Sequence, residues 1–179
     1  MKYLRVSLQF GAAAAAMIVL YFLALQYWIG DNALVNMSRL DIVIMLVCIL
    51  FAMGYYRDRR QGGMLHFWQG AIIGIEVNLI GTLLACLAIY LIVSFFAPDI
   101  LTGFVQLMRQ NIQAELQTEA VRKSAVQQAA LKAQLANLPY LTPFNMVFFP
   151  GGIFIKNFVI SLLVTGMVAA LMRKNVSHI

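Results

Sequence analysis

The stretch Gly70-Ala71-Ile72-Ile73-Gly74-Ile75-Glu76-Val77-Asn78-Leu79-Ile80-Gly81-Thr82-Leu83-Leu84-Ala85 decides how this chain folds. At helical spacing Gly70, Gly74, Asn78, Gly81 and Ala85 share one face, which opens with a Gly-x-x-x-Gly pair. Small residues let two helix backbones approach closely, and an amide can hydrogen-bond across the contact. The pattern therefore predicts a helix-packing seam. The run stays apolar to Phe96, longer than the roughly 20 residues that cross a bilayer core of about 30 Å. Glu76 breaks it, about 160° around the helix from the seam, beside Ile72, Leu79, Leu83 and Leu87. A carboxylate facing lipid costs roughly 2–3 kcal/mol near the bilayer centre. The second face is thus expected to meet another span, a second copy or a different protein. His66 and Arg57–Arg60 are candidate ion partners on the same side, and protonation is the other escape. Glu76 is a candidate partner or proton site, with structural pairing favoured.

Composition extends this reading to the whole chain. Of 179 residues, 62% are hydrophobic and 11% charged, whereas soluble domains run at about 45–50% and 25%. A water-soluble fold of this size could not hide so much apolar surface. The expected class is all-α: a polytopic membrane protein forming one membrane domain, with four transmembrane helices at about 10–29, 37–56, 70–96 and 153–172. The second has an apolar heart only from Ile42 to Tyr56, so Arg39 and Asp41 are expected to reach to the interface. The first reads as a retained helix, because its apolar run exceeds that of a signal peptide.

Basic residues in short flanks set orientation. Lys2 and Arg5, then Arg57, Arg59 and Arg60, then Arg173 and Lys174 fall on one side of a four-span chain. Both termini are expected in the cytoplasm, with the segment 98–150 on the outer, periplasmic side of a bacterial inner membrane. Arg57, Arg59 and Arg60 suit anionic headgroups at the inner leaflet. Lys156 snorkels to the outer one, where it is a further headgroup or phosphate contact.

The outer segment opens at Pro98-Asp99, a helix-start signal. From Thr102 to Asn137 there is no proline and helix formers dominate, which predicts a helix of about 50 Å. Val105, Met108, Ile112 and Leu116 repeat at helical spacing, and the stripe then drifts through Val126, Leu131 and Leu135. Such a helix either packs at the interface or on a partner, or projects as half of a helical hairpin.

No pattern for catalysis, a cofactor or a metal occurs, so the chain is expected not to be an enzyme. Cys48 and Cys86 lie inside apolar runs and read as small buried hydrophobes. Nucleic-acid binding is a poor fit to a single short arginine cluster.

Tyr56-Arg57-Asp58, followed by Gly63, Phe67-Trp68-Gln69-Gly70 and Gly74, resembles the bacterial membrane family known as domain of unknown function 4199. Pro98-Asp99 after the third span and the basic tail Arg173-Lys174 extend the resemblance over nearly the whole chain. It implies four spans with a variable outer insertion, and no assigned activity or catalytic residues. Members are often encoded near enzymes that handle polyprenyl-phosphate sugars, so the resemblance also implies lipid-linked glycan enzymes as partners.

The function expected from these readings is a non-catalytic accessory or scaffolding subunit of a larger membrane complex, in contact with the bilayer and with other subunits or further copies of itself. The alternative is a small transporter or flippase for an anionic lipid-linked substrate.

Overall fold

The computed structural model describes residues 3–29, 40–118, 125–148 and 153–172, and every regular element among them is helical. Helix α1 spans Leu4–Ile29, α2 Asp41–Arg60 and α3 Phe67–Leu91. The last of these runs on through one π-helical turn, Ile92–Phe96. Helix α4 covers Asp99–Gln117 and α5 Ala125–Asn137. A 3-10 turn at Leu138–Tyr140, the short α6 at Pro143–Phe148 and α7 at Ile153–Met172 follow among the described residues. Leu4–Trp28 and Phe67–Phe96 are each long and apolar enough to cross a membrane, while Phe158–Leu171 is apolar but shorter.

Local chemistry accounts for these boundaries. Asp41 stands in the first turn of α2 and Arg57, Arg59 and Arg60 in its last, each sign matching the helix dipole at its end. The turn into α3 passes through Gly62 (φ 60°) and Gly63 (φ 91°), a left-handed stretch that side chains resist. The His66 N–H then donates to Gln69 Oε1 at 3.3 Å, satisfying one of the free donors at the start of α3. At the other end the Ala97 N–H reaches back to the Ile92 carbonyl at 2.9 Å, the wide loop of a π turn. Pro98 follows, and α4 restarts at Asp99.

Helix α3 is the hub of the bundle: α1, α2 and α7 all pack on it, α1 most extensively. The ends are fixed by aromatic contacts. Tyr3 meets Tyr56 with ring centroids 5.2 Å apart, which sets the start of α1 against the end of α2. At the far end of α3, Tyr90 meets Phe144 and Phe148 of α6. Arg5, Arg57, Arg59 and Arg60 therefore belong to one end of the bundle, and α4, α5 and α6 to the other. Small side chains fill much of the interior, among them Ala14, Ala15, Ala52, Ala85 and Ala169. Large ones face outward on all four long helices, including Leu20, Phe51, Leu79, Leu83, Leu163 and Met167.

Two expectations need correction. Asp41 does not reach to an interface; it is 1% exposed, because α2 starts alongside the middle of α3 and not at its end. Helix α2 contains the expected span from Asp41 to Tyr56 and continues to Arg60, while residues 37–39 lie outside the described residues. The outer segment is not one 50 Å helix. Backbone at Thr118 is extended (φ −69°, ψ 135°), and α4 and α5 are separate helices that pack on each other. Their apolar stripe is only partly covered: Ile112 is buried, whereas Val126 is 81% exposed.

Candidate functional site

The seam on α3 meets three different helices. Gly70 lies under Ala169 of α7, where an added Cβ would sit 3.4 Å from the alanine methyl. At Gly74 it would collide with Thr165 of α7 and come within 2.8 Å of the Met53 terminal methyl of α2. At Gly81 it would meet Met45 of α2 at 2.9 Å and the Gly11 carbonyl of α1 at 3.2 Å. Ala85 is buried one turn further on.

Asn78 is fully buried in the middle of this seam and organises its polar contacts. Its Nδ2 donates to the Phe158 carbonyl at 3.2 Å. Its Oδ1 accepts from Thr82 Oγ1 at 3.1 Å and from Ser161 Oγ at 2.9 Å. Thr165 Oγ1 in turn donates to the Ser161 carbonyl at 2.7 Å. Polar groups in an apolar interior cost least when fully paired, and this network ties α3 to α7 at the mid-length of both.

Asp41 lies beside the network. Together with Thr82, Ser161, Ile18, Met45 and Cys86 it lines a cavity of about 10 Å³ where the four long helices meet. The Ile42 N–H donates to Asp41 Oδ1 at 2.8 Å. Sequence reading missed this cluster. Asp41 stands at the edge of an apolar run, where snorkelling is the default reading, and only the offset of α2 along α3 buries it.

Glu76 occupies the opposite face of α3. Its Oε2 is enclosed yet has no hydrogen-bond partner among the described residues. Ile72, Ile75, Leu79 and Leu83 around it are all exposed. Among the described residues neither His66 nor the arginines pair with it. Arg57 Nε instead donates to Asp58 Oδ1 at 2.7 Å, which holds the Asp58 carboxyl below the usual carboxylate range. Arg59 and Arg60 are exposed. The side chain of Lys156 lies outside the described residues, as do Arg173 and Lys174. In the outer segment Arg109, Gln106 and Thr102 line an open groove of about 310 Å³ against Leu138 and Leu141, a feature that the sequence does not announce. No group of three or more His, Cys, Asp or Glu that could hold a metal occurs among the described residues.

These features define a class: an all-helical protein organised around two helices of membrane-crossing length and apolarity, with a polar network inside the bundle. Within that class the chain belongs to the DUF4199 family, proteins of unknown function, whose model matches residues 9–174. No curated protein and no solved structure matches it.

Proposed function

We propose that the chain is a four-span protein of the bacterial inner membrane, both termini cytoplasmic, that serves as a non-catalytic accessory or scaffolding subunit and docks through the Glu76 face of α3. Support for four spans comes from packing: α2 and α7 flank the apolar α3, and large apolar side chains face outward on each. A ring of exposed leucines around small, paired polar interior groups suits lipid as the surrounding solvent. The arginines at one end of the bundle support a cytoplasmic face there.

One observation carries the docking reading. Glu76 is a half-buried carboxylate among exposed aliphatic side chains, with one enclosed oxygen that no donor among the described residues satisfies; such a group is costly in lipid, and a neighbouring helix relieves it by covering that face and supplying a donor to the part still open. A partner membrane helix with an amide, hydroxyl or basic side chain at that depth fits. The flippase alternative would draw on the exposed Arg59 and Arg60. It has less support, because the cavity at the helix junction has room for one water-sized body and not for a headgroup.

The test is capture of the tagged protein in mild detergent, followed by sizing and mass spectrometry of what co-migrates. Wild type is expected to carry a stoichiometric foreign membrane subunit, and Glu76→Gln to lose most of it. Glu76→Leu should abolish capture while raising the stability of the isolated bundle, since it removes an unpaired carboxylate. Undiminished capture by both variants would overturn the role given to Glu76. A homo-oligomer alone would move transport ahead.

A further inference from the structure

We propose that the groove between α4 and the 3-10 turn holds the phosphodiester headgroup of an anionic phospholipid drawn from the adjoining leaflet. The proposal rests on the four-span reading, which sets this end of the bundle at a membrane surface, and is independent of the docking face at Glu76.

The polar side of the groove comes from α4 alone, through Thr102, Gln106 and Arg109. Thr102 commits its hydroxyl proton to the Asp99 carbonyl at 2.7 Å. The side-chain donors left are the Gln106 amide and the Arg109 guanidinium, three residues apart and therefore on one face of the helix. No carboxylate lines the groove. Neither Asp99 nor Glu115 stands at the three- or four-residue spacing that would pair it with Arg109, and α5 contains no acid. Among the described residues Arg109 makes no ion pair. Two donors with one positive charge suit an anion whose oxygens accept, and a guanidinium meets phosphate oxygens with two parallel N–H groups.

The remaining lining decides for a lipid over a free phosphate ion. Leu101, Val105, Leu138 and Leu141 offer nothing to a hydrated ion, whereas they cover the glycerol and first acyl carbons beside a headgroup. Position supports the same occupant. Tyr140 belongs to the 3-10 turn itself, Phe95 and Phe96 to the π turn that leads into α4, and all three rings are exposed. Aromatic side chains gather in this way at the headgroup level of a bilayer. The volume of about 310 Å³ lies at the small end of ligand sites, roughly 300–1,000 Å³, which suits one headgroup and its neighbouring carbons. The acyl chains stay in the leaflet, and the bound lipid fastens α4 to the membrane surface.

The test titrates the purified full-length protein in neutral micelles with phosphatidylglycerol, or with phosphatidylcholine of the same acyl chains. Thermal unfolding and native mass spectrometry read the result. Phosphatidylglycerol is expected to give a saturable rise of the midpoint and one retained lipid; phosphatidylcholine, whose choline cancels the charge, should give a much smaller rise. Arg109→Gln should weaken the apparent affinity about tenfold or more, the loss expected for one charge-assisted contact. Gln106→Leu should also weaken it, and Lys132→Gln, an exposed cation on α5 outside the groove, should not. Equal responses to the two lipids would overturn the proposal. So would undiminished binding by Arg109→Gln, an equal loss in Lys132→Gln, or a rise in inorganic phosphate that matches the one in phosphatidylglycerol. Micelles have no sidedness, so a bundle shown by labelling to be inverted leaves a positive titration standing. A flat titration with the four-span topology confirmed fails the groove alone.

Discussion

Thr165 cannot yield to a side chain at Gly74. Its hydroxyl is tied to the Ser161 carbonyl at 2.7 Å, which fixes the rotamer and points its methyl at the glycine. Met53 closes the same space from α2. Gly74→Ala is expected to destabilise the bundle by about 1–3 kcal/mol, the usual penalty for overpacking a filled core. Gly54 in α2 has no neighbour within 4 Å of an added Cβ. There Gly54→Ala should be neutral or stabilising by up to about 1 kcal/mol, through helix propensity alone. Urea or mixed-micelle unfolding of the two variants beside wild type measures both, and equal effects would show that the close approach at Gly74 is not tight. The seam is legible in the sequence because small residues at helical spacing have one main physical use in an apolar helix. The burial of Asp41 is not legible, because nothing within α2 records how far along α3 it starts. The same limit applies to Glu76. Glu76 stands ten residues beyond His66 along α3, roughly 15 Å at 1.5 Å per residue, and Arg57 pairs with its neighbour Asp58.

At the scale of elements, the outer segment shows where local preference stops deciding structure. Helix formers fill Thr102 to Asn137, and propensity alone supports one continuous helix. A continuous helix would leave its weak, alanine-rich stripe without a partner, and helices gain most of their stability from packing. The chain instead ends α4 at Thr118, where the backbone N–H bonds the Glu115 carbonyl at 3.0 Å and the hydroxyl bonds that of Ala114 at 3.4 Å. Helix α5 begins at Ala125. The two helices then pack on each other, and Ile112 is the buried side chain in the outer half of α4. Placing a carboxylate there, Ile112→Asp, should separate the pair at a cost of about 2–5 kcal/mol, the range for losing a buried aliphatic contact. Hydrogen exchange of α5 amides in the full-length protein should then speed up, with α3 amides unchanged. Equal exchange in α5 would mean that the pairing does not depend on Ile112.

For the whole molecule, the question is which end of the bundle faces the cytoplasm. Helices α1 and α3 qualify as spans on their own apolarity. Helix α2 does not, and its case depends on lying against α3 with an apolar face outward. Its weaker signal has a physical origin. A helix that carries Asp41 at its buried start and four charged residues at its exposed end has little apolar length left between them. What the sequence does carry is the charge asymmetry, and the fold groups Arg5 with Arg57, Arg59 and Arg60 at one end while α4 and α5 extend from the other. Positive residues in short flanks are retained on the cytoplasmic side during insertion. Cys48 and Cys86 are buried, so replacing both by alanine gives a background for single reporter cysteines. In intact cells, Glu115→Cys on α4 should react with a membrane-impermeant maleimide. Arg59→Cys, exposed at the basic end, should react only after the cells are opened. The reverse pattern would invert the molecule and move the outer helices into the cytoplasm. Labelling of both positions in intact cells would refute the four-span arrangement itself, because an antiparallel bundle that crosses the bilayer must put the α2–α3 turn and the α4–α5 pair on opposite sides.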